Sequence, residues 1–203
     1  MIYLSQLMLN VQSPQVQREL RSPYEMHRTL SRAFPDDATA YAEARCLFRV
    51  EENGKTPVVL VQSRIAPDWD NVTQHAPRYL VNVPQTKMTE VVLTVGQRLA
   101  FRLHANPTVK RDGKRLPLRQ EQEQMTWLQR KGTLHGFQIL QARVRQDIRT
   151  QARTADGHTA YHEGVTFDGI LQVTDAVALQ TALECGIGSA KGFGFGLLSL
   201  ARA

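Results

Sequence analysis

The chain has 203 residues, and 42% of them are hydrophobic, which allows a substantial buried core and excludes an intrinsically disordered protein. Lys and Arg number 25 against 19 Asp and Glu, and the resulting formal net charge of +6 favours an anionic partner, nucleic acid before a membrane surface. Because neither a signal peptide nor an apolar run of about 18 residues is present, we expect a soluble, cytoplasmic protein.

The two cysteines predict free thiols. Cys46 and Cys185 are far apart in sequence, and neither belongs to a Cys-x-x-Cys or a Cys/His ligand pattern. Such spacing indicates neither a disulfide framework nor a zinc site. We therefore expect no metal and no redox chemistry.

The first half of the chain predicts the order β-α-β-β, followed by one more strand. Asn53-Gly54 has the composition of a hairpin tip between the second and third strands. Residues 64–90 contain three prolines and predict irregular chain, with a short helical turn at Asp68-Trp69. The segments with strand-like alternation or short apolar runs are residues 2–11, 44–50, 57–63 and 96–105.

Residues 21–34 predict the helix around which the first half is organised. Ser22 is predicted to be the N-cap, and Pro23 is predicted to be the first helical residue. Glu25, three residues after the cap, would complete a capping box. The apolar residues at helical spacing, which predict a face packed on a core, are Met26, Leu30, Ala33 and Phe34.

The same helix carries candidate catalytic residues. Tyr24 and His27 lie one turn apart near its positive N-terminal end, whereas Arg28 and Arg32 share a more exposed side. Free backbone N–H groups favour an anion there, and an imidazole is suited to proton transfer at neutral pH. A phosphodiester site fits this pattern, but so does a packed Tyr24 beside a hydrogen-bonded His27, and the helix alone leaves both interpretations open.

The charge pattern predicts a division of the chain into an N-terminal domain at residues 1–108, a basic linker at 109–118 and a C-terminal domain at 119–203. The linker carries Lys114 and Arg115, which are candidate RNA-binding residues. On charge alone, such a segment is equally well explained as a solvated connection between domains.

The C-terminal domain predicts a second α/β unit. A helix at residues 120–131 is expected to end at Gly132, and a helix at residues 176–185 is expected to be capped by Thr174-Asp175. Between the helices, residues 137–173 predict a long hairpin that turns at Asp156-Gly157 and presents Arg149 and Arg153. Such a basic hairpin can enter a nucleic-acid groove, although surface arginines on an ordinary hairpin are the commoner case.

The last segment, residues 186–200, is a glycine-rich loop that runs into a final strand. Its glycines allow close approach of the backbone, and Lys191 suits a phosphate. Because the segment is neither a Walker loop nor a Rossmann fingerprint, we expect no nucleotide cofactor. The complete order of elements predicts an α+β fold of two ferredoxin-like domains.

Four motifs occur along the chain in a fixed order. They are Ser-Pro-Tyr-Glu-Met-His-Arg-Thr-Leu-Ser at 22–31, Phe-Arg-Leu-His-Ala-Asn-Pro at 101–107, Trp-Leu-Gln-Arg-Lys at 127–131 and the glycine-rich segment at 186–200. Together they closely resemble the motifs of the CasE family, the CRISPR RNA-processing endoribonucleases of the type I-E Cascade complex. The resemblance spans essentially the whole chain.

The resemblance implies a tandem ferredoxin-like (RRM-like) protein that binds a CRISPR repeat RNA hairpin. It further implies one cut at the 3′ base of the stem without metal or other cofactor, retention of the product, and other Cascade subunits, but no membrane, as partners. The family's catalytic positions match Tyr24 and His27. Its RNA-contacting positions match Arg28, Arg32 and Lys191, and the basic hairpin resembles the family element that enters the RNA major groove.

Metal-free RNA cleavage uses the substrate's own 2′-OH as nucleophile and leaves a 2′,3′-cyclic phosphate and a 5′-OH. Tyr24, with an ordinary pKa of about 10, is a poor base at neutral pH and is assigned to positioning the phosphate. His27 is favoured as general acid, with the base role left open.

Two alternatives belong to other classes. The same basic surface would serve a non-catalytic RNA-binding scaffold in a ribonucleoprotein. A metal-dependent nuclease would use His158 and His162, but an i, i+4 pair does not converge in an extended hairpin.

Overall fold

The computed structural model describes residues 1–51, 54, 56–146, 150–153 and 159–203, with the backbone alone at 146, 150–153 and 159–162. The chain forms two compact units. Unit 1 comprises Met1–Glu90 with Gln151–Ala160 and Gly192–Gly194, and unit 2 comprises Val91–Thr150, Tyr161–Lys191 and Phe195–Ala203. The mixed α+β class expected from the sequence is confirmed.

Unit 1 contains one antiparallel sheet of four strands in the order β2-β3-β1-β4. With helices between the first and second and between the third and fourth strands, this is the β-α-β-β-α-β arrangement of a ferredoxin-like fold. The elements are β1 (Ile2–Met8), α1 (Pro14–Leu20), α2 (Pro23–Ser31), α3 (Ala38–Ala44), β2 (Leu47–Glu51), β3 (Val58–Ser63), α4 (Trp69–His75) and β4 (Gln85–Thr89).

The stretch expected to be irregular, residues 64–90, contains α4 and β4. The helical turn expected at Asp68-Trp69 is the start of α4, whereas the expectation was wrong for β4. β4 is an edge strand that pairs with β1, with Ile2 opposite Thr89, and its side chains are mostly exposed. An exposed polar strand lacks the apolar alternation from which sequence analysis recognises strands. The β2–β3 hairpin is confirmed, whereas Asn53 of its predicted tip lies outside the described residues.

Helix α2 begins at Pro23 after Ser22, as expected, and its apolar face packs on the core of unit 1. Met26 and Leu30 are fully buried. The predicted capping box is absent, because the Ser22 side chain makes no cap hydrogen bond and the Glu25 carboxylate instead pairs with Arg28 at 3.2 Å. The helix start therefore depends on Pro23 and on packing rather than on a side-chain cap.

A buried carboxylate fixes α2 against its neighbours in unit 1. Glu19 of α1, only 2% exposed, accepts hydrogen bonds from the Thr29 hydroxyl of α2 at 2.7 Å, the Tyr79 hydroxyl at 2.6 Å and the Gln15 amide at 2.8 Å. Burial and the Glu19 charge raise the pKa of Tyr79, so its hydroxyl stays protonated and donates. Three donors on one carboxylate compensate for the desolvation that burial imposes on it.

The chain after Glu90 forms a second antiparallel sheet, in the order β12-β5-β11-β8, again with β-α-β-β-α-β connectivity. Strands β9 and β10 pair separately with each other, as do β6 and β7. The elements are β5 (Arg98–Ala105), β6 (Thr108–Arg111), β7 (Lys114–Pro117), α5 (Glu121–Leu134), β8 (Phe137–Gln146), β9 (Thr150–Arg153), β10 (Thr159–His162), β11 (Val165–Val173), α6 (Ala176–Cys185) and β12 (Leu198–Arg202).

The division between the units falls after Glu90, whereas the sequence placed it at 109–118. Alternation predicts that residues 96–105 form a strand but does not identify the partner strands, and β5 pairs with β11 and β12. Residues 109–118 form most of the β6–β7 hairpin, which turns at Asp112-Gly113, rather than an irregular linker.

Two predictions about helix ends in unit 2 have opposite outcomes. Asp175 caps α6 by accepting from the N–H groups of Val177 and Ala178, as expected. Gly132 does not end α5, because it lies inside the helix where a Cβ would come within 2.6 Å of the Phe137 carbonyl oxygen. Gly132 thus serves close packing, and Gly136, with φ +76°, lies just beyond the helix end.

None of the helices in the described part of the chain has the length and apolar character needed to cross a bilayer.

The Glu19 network predicts a large stability loss on truncation. Glu19→Ala leaves the buried Tyr79 and Thr29 hydroxyls without an acceptor and should lower the free energy of unfolding by about 3 kcal/mol. Urea denaturation measures this change. Glu43→Ala, which removes an exposed carboxylate from α3, is the control and should change stability by no more than about 0.5 kcal/mol. Equal effects of the two substitutions would contradict the role assigned to Glu19.

Candidate active site

His27 lies in an aromatic environment within unit 1. Its imidazole stacks on Phe48 of β2 with ring centroids 6.1 Å apart and an interplanar angle of 10°, and it meets Tyr41 of α3 edge-on at 6.1 Å. Burial lowers the pKa of His27 below its ordinary value. The imidazole is therefore mostly neutral at neutral pH.

The two imidazole nitrogens have different surroundings. Nε2 is 3.1 Å from the Tyr41 hydroxyl, which is in turn 2.9 Å from the Ser31 hydroxyl. Nδ1 is buried and has no hydrogen-bond partner among the described residues. His27 is thus held through one nitrogen, while the other keeps its hydrogen-bonding capacity unused.

Residues Gly192–Gly194 belong to unit 1 and contact both candidate catalytic residues. A Cβ at Gly192 would lie 3.3 Å from Cδ2 of His27, and the ring of Phe193 stacks on Tyr24 with centroids 5.8 Å apart. The next residue, Gly194, has φ +82° and packs on Phe48, the residue that also stacks on His27. Two successive residues of the glycine-rich segment, Gly192 and Phe193, therefore lie against His27 and Tyr24, respectively.

The two arginines predicted beside this site are exposed. Arg28 pairs with Glu25 on the helix surface at 3.2 Å, and its side chain is 64% exposed. Such a solvated pair contributes little to stability, so Arg28 is available to an anionic partner. Arg32 follows the last residue of α2 and is also exposed.

In unit 2, the β6–β7 hairpin sets like charges directly opposite each other. Its cross-strand neighbours are Lys110 with Arg115 and Arg111 with Lys114, and all four residues are exposed. Like charges at opposed positions destabilise a strand pair. A polyanion bound along the hairpin would relieve that repulsion, which favours the predicted role of Lys114 and Arg115.

Unit 2 also gathers cations around the indole of Trp127. Lys131 Nζ lies over the ring at 5.7 Å, a Cβ at Gly188 would lie 3.3 Å from the ring, and Lys191 donates to the Gly188 carbonyl at 2.9 Å. Burial and the charges of Arg130, Lys191 and Arg115 lower the pKa of Lys131. Burial, Lys131 and Lys191 likewise lower the pKa of His135.

The remaining predicted positions are not described at the level of side chains. Arg149 and His158 lie outside the described residues, and Arg153 and His162 are described by backbone alone. Among the described residues, no group of three or more His, Cys, Asp or Glu side chains is arranged to hold a metal ion.

Comparison with known proteins identifies the family. A family model described as CRISPR associated protein matches residues 2–202. The chain belongs to this CRISPR-associated family. It is 36% identical to the CRISPR-associated endoribonuclease Cse3 of Thermus thermophilus, over 98% of this chain and 100% of that protein. It is 37% identical to the CRISPR system Cascade subunit CasE of Escherichia coli K12, over 89% and 92% of the two chains.

The fold agrees with a solved relative. A structure of the CRISPR endoribonuclease Cse3 bound to a 19-nucleotide RNA matches with a TM-score of 0.87 at 35% identity, over 98% of this chain and 100% of that one. The resemblance to the CasE family inferred from four motifs is therefore confirmed, together with the tandem ferredoxin-like fold that it implied.

Two features of this CRISPR-associated chain were missed by sequence reasoning. Tyr41 follows His27 by 14 residues in a separate helix, and no local spacing links them. Lys131 could have been found from its spacing, because it lies four residues after Trp127 on α5 and the two side chains therefore share one face of the helix.

Proposed function

We propose that the chain is a metal-independent endoribonuclease that cleaves CRISPR repeat hairpins in precursor transcripts into guide RNA and retains the product. The observation that carries the proposal is the contact of Tyr24 and His27 with successive residues of the glycine-rich segment. The relatives named as an endoribonuclease and as a Cascade subunit support it. Its partners would be the repeat RNA and other Cascade subunits, in the cytoplasm where the transcript is made.

The chemistry divides between two side chains. The 2′-oxygen of the substrate attacks the adjacent phosphorus while its proton passes to a base, and the bond to the 5′-oxygen breaks to give a 2′,3′-cyclic phosphate and a 5′-OH. Because burial lowers the pKa of His27, most of the imidazole is neutral at neutral pH. A neutral imidazole can accept the proton of the 2′-OH, whereas only the minor imidazolium form could donate a proton to the leaving oxygen. The buried environment therefore favours the base role over the acid role preferred from sequence, and the leaving oxygen takes its proton from solvent water.

Tyr24 and the arginines stabilise the negative charge of the RNA phosphates and do not take part in proton transfer. The Tyr24 hydroxyl donates a hydrogen bond to the reacting phosphate, and Arg28 and Arg32 attract the neighbouring backbone. In unit 2, Lys114, Arg115, Lys131 and Lys191 provide further phosphate contacts, as Arg149 and Arg153 would from the basic hairpin. Many phosphate contacts give tight, salt-sensitive binding, which explains product retention.

A non-catalytic RNA scaffold is the second candidate. The same cations would serve it, and the favouring observation is that His27 packs against the rings of Phe48 and Tyr41 as a structural side chain would. If the chain is an endoribonuclease, His27 is required for cleavage but not for RNA binding. If the chain is a scaffold, it binds RNA without cleaving it.

The catalytic assignment predicts that His27→Ala lowers single-turnover cleavage of a repeat hairpin in excess chelator by about 10²- to 10⁴-fold, the usual contribution of a general acid or base. RNA affinity should be unchanged, because an imidazole that is mostly neutral contributes little phosphate attraction. His75→Ala, at the exposed end of α4, is the control and should cleave normally.

The pH profile adds a second criterion for the same assignment. With His27 as a base of lowered pKa, the wild-type rate should rise with pH, and the midpoint of that rise should lie below pH 6.5, the ordinary histidine value. Equal cleavage by wild type and His27→Ala would contradict the assignment, and binding without cleavage by both proteins would support the scaffold.

The cations around Trp127 predict a change in salt dependence. Lys131→Gln and Lys191→Gln should each reduce the slope of log affinity against log salt by about 0.7 to 0.9, as expected for one lost phosphate contact. Lys87→Gln, on the exposed edge strand β4, is the matched control and should leave the slope unchanged. Affinity measured from 50 to 300 mM salt (about the range in which counterion release dominates) tests this. An unchanged slope in both variants would exclude these lysines from the RNA contact.

A further inference from the structure

Three hydrogen bonds in unit 1 form a closed circuit through α2 and α3. The Ser31 hydroxyl donates to the backbone carbonyl of His27 at 2.7 Å. The hydroxyls of Ser31 and Tyr41 are 2.9 Å apart, and the Tyr41 hydroxyl is 3.1 Å from His27 Nε2. Each hydroxyl has one proton to donate, so the protons in this circuit can be assigned.

The assignment starts at the carbonyl. A carbonyl oxygen only accepts, so the single Ser31 proton is used on the His27 carbonyl. The bond between Ser31 and Tyr41 then requires the Tyr41 proton, and Ser31 accepts it. With that proton committed, the Tyr41 oxygen can only accept from His27, so the imidazole carries its proton on Nε2.

The proton count leaves a lone pair on Nδ1. A neutral imidazole has one N–H group, and a proton on Nε2 makes Nδ1 the acceptor. Nδ1 is buried and has no hydrogen-bond partner among the described residues. An unsatisfied buried acceptor in a native structure calls for a reason, and use by a substrate donor is one.

We propose that Tyr41 is a positioning residue for RNA cleavage, which holds neutral His27 as the Nε2–H tautomer so that Nδ1 receives the proton of the attacking 2′-OH. In this step the 2′-O–H bond breaks, its proton moves to Nδ1, and the released electron pair forms the bond from the 2′-oxygen to phosphorus. The bond between phosphorus and the 5′-oxygen breaks, and the leaving oxygen takes a proton from water. The hydroxide so formed recovers the proton from the His27 imidazolium. The reactive role rests on the function proposed above, whereas the tautomer is a property of the free protein.

The surroundings of Tyr41 suit this task. Burial raises the pKa of Tyr41, so the hydroxyl keeps its proton for Ser31 at neutral pH. The Tyr41 ring also packs edge-on against His27 and Phe34, with centroids 6.1 and 6.4 Å apart. Tyr41→Phe therefore removes the hydroxyl while it keeps the aromatic packing.

The test is ¹⁵N NMR of the His27 imidazole at pH 8 in the full chain, with the His27 signals assigned by their loss in His27→Ala. Wild type should show the Nε2–H tautomer with an unprotonated Nδ1. Tyr41→Phe should lose that preference. Ser31→Ala frees the Tyr41 proton to point at Nε2, so the tautomer should reverse to Nδ1–H. Tyr3→Phe is the matched control and should match wild type.

Single-turnover cleavage of the repeat hairpin in excess chelator completes the test. Tyr41→Phe and Ser31→Ala should each cleave about 10- to 100-fold more slowly, within the range of general-base contributions, with RNA affinity and thermal stability close to wild type. A wild-type Nδ1–H tautomer, or one tautomer shared by wild type and both variants, would overturn the role of Tyr41. If the tautomers behave as expected but wild type cleaves no RNA, the proposed function fails while the positioning of His27 by Tyr41 stands.

Discussion

The burial of one face of α2 is the constraint on which the candidate active site depends. Met26 and Leu30 are fully enclosed in the core of unit 1, and Thr29 is bonded to the buried Glu19 carboxylate. These contacts fix the rotation of the helix about its axis. Tyr24 and His27 must then lie on the flank where Phe48, Tyr41 and the Gly192–Gly194 segment meet them. The positions of both side chains thus follow from a hydrophobic stripe and one buried carboxylate.

Unit 2 has cations that are paired with carboxylates and cations that lie opposite or near other cations. On β5 and near α5, cations are neutralised within unit 2: Arg102 pairs with Asp168 at 2.6 Å, and Arg119 pairs with Glu163 at 2.8 Å. The β6–β7 hairpin instead opposes cation to cation, and burial together with the charges of Arg130, Lys191 and Arg115 lowers the pKa of Lys131. Folding does not require such repulsion, and a polyanion offsets it, which supports the RNA-binding role proposed for these surfaces.

Sequence reasoning predicted local structure well where one helix or strand carries its own signal. The α2 stripe, the Asp175 cap of α6 and the alternation of β5 were each readable from spacing. It failed where the answer depended on a distant partner. β4 has no apolar face of its own, Gly132 looks like a helix stop until Phe137 packs on it, and Tyr41 meets His27 only through tertiary structure. Tyr24 and His27 were predicted as candidate catalytic residues from one helix, whereas the tautomer proposed for His27 depends on three hydrogen bonds of the tertiary structure.

The proposed reaction cuts RNA with the substrate's own 2′-OH and without a metal ion. A repeat hairpin with a single 2′-deoxy nucleotide immediately 5′ of the cut site tests it most directly, compared with the all-ribose hairpin in excess chelator. We expect equal affinity for the two RNAs, no cleavage of the deoxy substrate, and a 2′,3′-cyclic phosphate on the all-ribose product. Cleavage of the deoxy substrate at the same position would contradict it, because the nucleophile would then have to be water.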